Sequence, residues 1–343
     1  MIEVKNLVKK YGNHLAVDHL NFTIEEGHIY GFLGPNGAGK STTMNIMTGY
    51  LGATEGEVLI NGHDILKEPE EAKKQIGYLP ELPPLYMDMT VREYMEFAAE
   101  LKKIPKEKRA ESIEDVEKLV KIKDVEKRLI KNLSKGYRQR VGLAQAVLGF
   151  PEIIILDEPT VGLDPKQIIE IRDLIRSLKE KHTVILSSHI LQEISAVCDH
   201  VFIISKGNLV ASDSMEHLES RMSGAQQLEV TVSGARSDVE QMKEIPGVKS
   251  FEITREISEE VTESDKDETP GTDASEETSE QPVETQNGEY HLSVMAKENQ
   301  DIREAVFRYC VAHQLILLEM KVNTKTLEDV FLELTGSEEV QKA

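Results

Sequence analysis

The sequence predicts an α/β fold over about its first 215 residues and a small α+β domain after them. Three observations predict this arrangement. Short apolar strands alternate with helical stretches up to residue 215, which is the pattern of a sheet with helices packed on it. A glycine-rich loop at residues 34–41 lies between one such strand and the next helix. Beyond residue 225, strands and helices follow in the order β-α-β, β-α-β.

The glycine-rich loop fills every fixed position of the phosphate-binding pattern G-x-x-x-x-G-K-[ST]. Its residues are Gly34, Pro35, Asn36, Gly37, Ala38, Gly39, Lys40 and Ser41. The apolar run 28–33 predicts a strand before the loop, and residues 41–47 predict a helix after it. Backbone N–H groups of such a loop and the helix N-terminus attract phosphate. The sequence therefore predicts nucleotide binding, with Lys40 on the β- and γ-phosphates, Ser41 on Mg²⁺ and Thr42 beside them.

The remaining elements of the α/β part follow in chain order. Further strands are predicted at residues 57–60, 153–156, 183–186 and 201–204. Residues 88–150 predict a helical subdomain inserted between two of these strands. It opens with a capping box, in which Thr90 is the N-cap and Glu93 follows three residues later. Apolar residues then recur at helical spacing, at Val91, Tyr94, Met95, Ala98 and Leu101, until Pro105 interrupts the pattern.

The second domain is predicted over residues 225–336, with a ferredoxin-like fold. Strands are expected at 227–232, 248–253, 290–294 and 315–322, and helices at 237–242 and 301–313. An acidic segment, 256–289, interrupts this order with 13 acidic residues against one basic residue, Lys266. The segment is rich in Ser, Thr and Glu and has too little apolar surface to fold, so it is predicted to be a disordered insertion. A solvated loop is the favoured interpretation, and a regulatory or docking role is the alternative.

Composition excludes several classes of function. The net charge of −21 argues against general nucleic-acid binding, which requires a basic face. No apolar run reaches the length of about 20 residues that spans a bilayer, and the N-terminus lacks the apolar stretch of a signal peptide. A cytoplasmic location is expected unless a partner holds the chain elsewhere. Cys198 and Cys310 lack the spacing of a zinc or redox pair, so both are expected to be buried apolar residues.

The strand predicted at 153–156 ends in two carboxylates. Asp157 is placed to hold Mg²⁺ or its waters. Glu158 is placed to polarise the water that attacks the γ-phosphate, as a general base or a water-positioning group. Alone, such a pair could equally be surface acids at the end of a strand.

Residues 133–140 read Leu-Ser-Lys-Gly-Tyr-Arg-Gln-Arg and precede a helix-like stretch. With this segment upstream of Asp157, the chain resembles the ATPase subunit of an ATP-binding-cassette (ABC) transporter over residues 1–215. The ATP-binding domain is expected to extend over residues 1–220. The resemblance implies that Ser134 and Gly136 present a helix N-terminus to the γ-phosphate bound by an opposite subunit.

The resemblance assigns roles to further residues. Tyr11 matches the aromatic residue that stacks on adenine, and His189 matches a switch histidine that contacts the γ-phosphate. Asp164 lies in Gly-Leu-Asp-Pro at 162–165, which resembles the loop that crosses the dimer interface. The catalytic residues expected from this comparison are Lys40, Glu158 and His189.

Two positions depart from the commonest pattern of the family. Glu81 stands where Gln is usual, at a position that senses Mg²⁺ and the attacking water and links them to the helical subdomain. Lys-Gly-Tyr at 135–137 replaces Gly-Gly-Gln. Both variants, and the ending at 326–335, resemble exporters whose ATPase and permease are separate chains and whose ATPase carries a small C-terminal domain.

The resemblance implies the ligands and the partner chains with which this chain would work. ATP and Mg²⁺ are the expected ligands, and two cassettes, alike or different, would close on two ATP molecules. A separate permease is the expected partner, which would hold the chain at the cytoplasmic face of the membrane. The alternative hypothesis is a soluble ABC-type ATPase that acts as a mechanochemical or assembly factor. The cargo cannot be read from this chain, because the permease recognises it.

Overall fold

A computed structural model describes residues 1–222, 227–258, 287–297 and 300–323. The described residues divide into two compact units, with the boundary between Leu218 and Glu219. No helix in these described ranges has the length and apolar character needed to cross a bilayer. In the described residues, the first unit contains two sheets and two apolar clusters, and the second contains one sheet and one apolar cluster.

The first unit alternates strands and helices, as its sequence predicts. Its elements are β1 (Ile2–Tyr11), β2 (His14–Ile24), β3 (Ile29–Leu33), α1 (Lys40–Met47), β4 (Glu55–Ile60), β5 (His63–Asp64), α2 (Pro69–Lys74), β6 (Ile76–Leu79), α3 (Val91–Leu101), α4 (Lys106–Leu119), α5 (Lys135–Val147), β7 (Ile153–Leu156), α6 (Pro165–Leu178), β8 (Thr183–Ser188), α7 (Leu191–Ser195), β9 (His200–Ser205), β10 (Asn208–Ser214) and α8 (Met215–Met222).

A six-stranded sheet organises this unit, in the order β10-β9-β3-β8-β7-β6. All its strands are parallel except β10, which pairs antiparallel with β9. Every residue of β3, β7 and β8 is buried, as expected for strands covered on both faces. Because β8 lies between β3 and β7, the residues that follow these three strands meet at one edge of the sheet.

A second, antiparallel sheet in the order β2-β1-β4-β5 covers one face of the first. The core between them contains the rings of Phe22, Phe32 and Phe202, with centroids 4.9–5.4 Å apart. Such aromatic pairs bury large apolar areas, so they fix how the two sheets pack. Cys198 is also buried, as predicted.

The helical subdomain contains α3, α4 and α5. The predicted capping box is confirmed, since Thr90 accepts from the Glu93 N–H while the Glu93 carboxylate accepts from the Thr90 N–H. Pro105 is the N-cap of α4, and its fixed φ suits the start of a helix. Four of the five predicted apolar positions of α3 are buried, but Leu101 is 65% exposed because it is the last residue of the helix.

The second unit has the predicted β-α-β, β-α-β order. Its elements are β11 (Gln227–Ala235), α9 (Arg236–Glu240), β12 (Val248–Ser258), β13 (Asn287–Ala296), α10 (Arg303–Ala312) and β14 (Ile316–Asn323). They form an antiparallel sheet in the order β12-β13-β11-β14, which confirms the ferredoxin-like arrangement. Val239, Val306 and Cys310 from the helices lie in the same core as the sheet residues.

The limits predicted for the acidic segment are wrong at both ends. Strand β12 continues to Ser258 and β13 begins at Asn287, because the two strands pair as far as Ser258 and Gly288. Glu256 lies within β12, where it forms a 2.8 Å ion pair with Arg236. Residues 259–286 and the predicted domain limit at 336 lie outside the described residues.

Candidate nucleotide site

A cleft of about 540 Å³ opens where β3, β7 and β8 end, and eleven of the predicted site residues line it. These are Tyr11, Asn36, Gly37, Ala38, Gly39, Lys40, Ser41, Thr42, Glu81, Glu158 and His189. They come from distant parts of the sequence, and the parallel sheet brings them together. His14, Ala16 and Val161 also line the cleft and were not predicted.

The loop backbone needs glycine at two positions for different reasons. Gly39 has φ +106°, and a Cβ there would lie 2.6 Å from the Ala16 carbonyl oxygen. A Cβ on Gly34 would overlap the Ile204 carbonyl oxygen. The loop therefore presses against two neighbouring strands, and only residues without a side chain permit that approach.

Lys40 is the first residue of α1 and is only 5% exposed. Its Nζ donates to the carbonyl oxygens of Gly34 at 2.8 Å and Pro35 at 3.2 Å, and lies 3.7 Å from Glu158 Oε1. Burial lowers the pKa of Lys40, while the negative charges of Glu158 and Asp157 oppose that change. The carbonyl groups of Gly34 and Pro35 thus hold the Lys40 ammonium group in place.

Asp157 lies beneath the cleft, where it is 3% exposed. Its Oδ1 accepts hydrogen bonds from Ser41 Oγ at 3.1 Å and from Ser187 Oγ at 2.5 Å. With Glu81 at the cleft wall, the site offers a hydroxyl and two carboxylates. Mg²⁺ prefers such oxygen ligands and is commonly held by one or two carboxylates together with substrate phosphates, so these residues fit it.

Glu158 has φ +47°, in the left-handed region that residues with a side chain rarely adopt. Its N–H donates to Ser187 Oγ at 2.9 Å, and its carboxylate oxygens lie 3.1 and 3.0 Å from His189 Nδ1. This backbone conformation and the two contacts aim the carboxylate at the cleft beside Lys40. Strained residues held in this way are typical of functional sites.

Tyr11 is the last residue of β1, and its side chain is 49% exposed at the cleft. Lys9 Nζ lies 5.3 Å from the centre of its ring. An accessible aromatic face suits the stacking of a base.

Six predicted residues do not line the cleft: Gly34, Pro35 and Asp157, which hold lining residues as described above, and Ser134, Gly136 and Asp164. Ser134 caps α5 by accepting from the Tyr137 N–H at 3.4 Å, and Asp164 caps α6 by accepting from the Gln167 N–H at 2.9 Å. A Cβ on Gly136 would lie 2.5 Å from the Gln167 side chain. Gly136 and Asp164 both lie against Gln167, and Ser134 caps the helix that contains Gly136, so all three residues lie apart from the cleft.

Sequence reasoning missed Ser187, whose hydroxyl donates to Asp157 and accepts from the Glu158 N–H. The available signal was a hydroxyl at the carboxyl end of a fully buried strand, because polar groups in such places need hydrogen-bond partners.

Known proteins resemble this chain in sequence over most of its length. Residues 17–161 match the family model described as ABC transporter. The bacitracin transport ATP-binding protein BcrA of Bacillus licheniformis is 39% identical over 255 residues, which cover 74% of this chain and 82% of BcrA. The uncharacterized ABC transporter ATP-binding protein YhcH of Bacillus subtilis (strain 168) is 36% identical over 348 residues. The alignment covers 100% of this chain and 99% of YhcH.

Solved structures agree with these relatives. The dimeric bacterial ABC transporter cassette MJ0796 superposes with a TM-score of 0.58 at 28% identity, covering 63% of this chain and 99% of that cassette. The same cassette has also been solved in a post-hydrolysis state bound to ADP and Pi. The chain therefore belongs to the ABC transporter family, as an ATP-binding subunit that hydrolyses ATP.

Proposed function

We propose that this chain hydrolyses ATP in its cleft to drive a separate membrane permease, with export as the direction of transport. The observation that carries the proposal is the Glu158 carboxylate, held 3.7 Å from Lys40 and 3.0 Å from His189 at the cleft wall. A carboxylate fixed beside a phosphate-binding loop suits the activation of a water that attacks the γ-phosphate.

Seven residues in or beneath the cleft have a proposed role. Mg²⁺, held by Ser41, Asp157 and Glu81, would neutralise charge on the phosphate oxygens. Lys40 contacts the β- and γ-phosphates, and Tyr11 stacks on adenine. Glu158 orients the attacking water and accepts its proton. Because His189 uses Nδ1 for Glu158, its Nε2 is the nitrogen that would donate to the γ-phosphate.

We infer that a second cassette, a copy of this chain or a different one, completes the reaction. Ser134, Gly136 and Asp164 lie outside the cleft of their own chain, and the related cassette MJ0796 has been solved as a dimer. The N-terminus of α5, capped by Ser134, would attract the γ-phosphate bound by the partner chain. Hydrolysis and phosphate release would then reopen the dimer.

The surface next to Glu81 supports a partner that lies in the membrane. Leu82 is 80% exposed and Tyr86 is 54% exposed. The Tyr86 ring packs edge-on against Phe97 of α3, with centroids 5.3 Å apart. Leu82 and Tyr86 come shortly after Glu81, which lines the cleft. Exposed apolar side chains at this place could bind a segment of the permease and pass on to it whether a nucleotide is bound. The chain would then lie at the cytoplasmic face of the membrane. Export is proposed because Glu81 and residues 135–137 resemble the variants found in exporters.

The replacement Glu158→Gln tests the hydrolytic part of the proposal. It keeps the size of the side chain but removes the base, so ATP should bind with unchanged affinity while kcat falls at least about 10²-fold. Glu180→Gln is the matched control, since Glu180 is exposed. Turnover of Glu158→Gln at the wild-type rate would contradict the role of Glu158.

Partner identification tests the transport part. Tagged Glu158→Gln protein would be isolated from cell membranes with ATP and Mg²⁺. Copurification of a polytopic membrane protein at near-equal stoichiometry is expected. Recovery from the cytosol alone, with ribosomes or a soluble assembly, would overturn the permease partner and favour a soluble ABC-type factor.

A further inference from the structure

Beside the cleft, three buried side chains form a polar cluster that has no role in the mechanism above. Thr160 Oγ1 donates to Glu193 Oε2 at 2.6 Å, and Ser188 Oγ donates to the same oxygen at 2.8 Å. Ser188 is fully buried, and Thr160 and Glu193 are each 5% exposed. We refer to these three residues as the Glu193 bracket.

The bracket joins the two segments that carry Glu158 and His189. Thr160 lies two residues after Glu158, and Ser188 directly precedes His189. Strands β7 and β8 pair side by side only as far as Leu156 and Leu186. Beyond that point the two strands no longer pair, and side chains join the segments: Ser187 Oγ accepts from the Glu158 N–H, and the bracket adds the bonds to Glu193.

Of the two hydrogen bonds to Glu193, the one from Thr160, at 2.6 Å, has the length of a strong bond to a carboxylate, and the one from Ser188, at 2.8 Å, is slightly longer. O–H···O⁻ bonds to a carboxylate are about 2.5–2.7 Å long and roughly twice as strong as bonds between neutral groups. Burial of the Glu193 carboxylate costs free energy that such bonds must offset. Ser188 Oγ also accepts from the Ile190 N–H at 3.0 Å, which fixes the backbone on both sides of His189.

We propose that Glu193 is a positioning residue for ATP hydrolysis, because its carboxylate ties the segment that carries Glu158 to the segment that carries His189. The inference rests on the roles proposed above for Glu158 and His189. Without the bracket, the left-handed backbone at Glu158 can relax and the Glu158–His189 contact lengthens. None of the three bracket residues lines the cleft, so no direct contact with ATP is assigned to them.

Two substitutions at one position separate positioning from a general structural effect. Glu193→Leu removes both hydrogen bonds at similar volume, so kcat should fall at least about tenfold while the KM for ATP changes little. Glu193→Gln keeps an oxygen that can accept from both hydroxyls, so it should restore kcat to within about threefold of wild type. Steady-state ATPase assays on the purified full chain, with a thermal unfolding midpoint for each variant, measure these effects.

The decisive comparison is between Glu193→Leu in the wild-type chain and Glu193→Leu in the chain that already carries Glu158→Gln. If Glu193 acts through Glu158, then Glu193→Leu should slow hydrolysis no further when it is added to Glu158→Gln. Wild-type kcat in Glu193→Leu, or an equal loss in both backgrounds, would overturn the inference. Should Glu193→Leu fail to fold, Thr160→Val removes one donor at nearly constant shape and carries the same test. Wild-type turnover in Glu158→Gln alone would instead contradict the proposed function.

Discussion

At the scale of single residues, the site depends on hydroxyl groups that have no direct part in the expected chemistry. Ser187 donates to Asp157 and accepts from the Glu158 N–H, so one side chain orients two carboxylate residues. Because Ser187 is fully buried, each of these bonds is made away from competing water. The strained φ of Glu158 persists because the surrounding hydrogen bonds determine it.

His182 predicts how stability depends on pH. It is 5% exposed, its Nδ1 lies 2.6 Å from the Pro151 carbonyl oxygen, and burial lowers its pKa below the ordinary 6.5. The folded chain then binds fewer protons at this group than the unfolded chain, so stability is full above pH 6.5 and falls as the pH drops below it. Urea unfolding from pH 7.5 to 5 should show a shallower loss in His182→Asn than in wild type, by up to about 1.4 kcal/mol per pH unit. Equal slopes in the two proteins would contradict this assignment.

At the scale of elements, the ends of helices are where the local sequence is most informative. Thr90, Ser134 and Asp164 each occupy an N-cap position and accept from a backbone N–H three residues later. The helix predicted at 237–242 in the second unit begins one residue earlier, at Arg236, with Ala235 as its N-cap. Its sequence pattern is short, and the pairing of β11 with β13 up to Ala235 sets where the helix begins.

The capping box at Thr90 gives an element-scale prediction. Thr90→Ala leaves N–H groups of the first turn of α3 without a side-chain partner, so the free energy of unfolding should fall by about 0.5–2 kcal/mol. Thr90→Ser keeps the hydroxyl and should lie close to wild type. Urea unfolding monitored by circular dichroism measures both. Equal stability of the Ala and Ser variants would show that the box does not stabilise α3.

At the scale of the whole molecule, the two units have separate apolar cores. Residues of β11, β13 and α10 form one core, and no residue of the first unit belongs to it among the described residues. The nucleotide cleft is built from residues of the first unit alone. Nucleotide binding should therefore shift the unfolding transition of the first unit, and a core substitution in the second unit should shift the transition of the second.

Calorimetry tests this separation. Leu292 is 2% exposed in the core of the second unit, and Leu292→Ala should lower the stability of that unit by about 2–5 kcal/mol. ATP at about 100 times its Kd, added to Glu158→Gln protein, should raise the stability of the first unit by about 2.7 kcal/mol. A single transition that responds equally to both changes would contradict independent units.

Sequence alone determined the features that depend on local order: the phosphate loop, the buried strands, the Asp157–Glu158 pair, the capping box and the family. Their signals lie in neighbouring residues, so spacing and chemistry suffice. Only the tertiary structure decided which residues hold one another across the sheet. Ser187 lies 29 residues from Glu158, and Glu193 lies 33 from Thr160. No local pattern encodes such contacts, because parallel strands bring distant segments side by side only after the chain has folded.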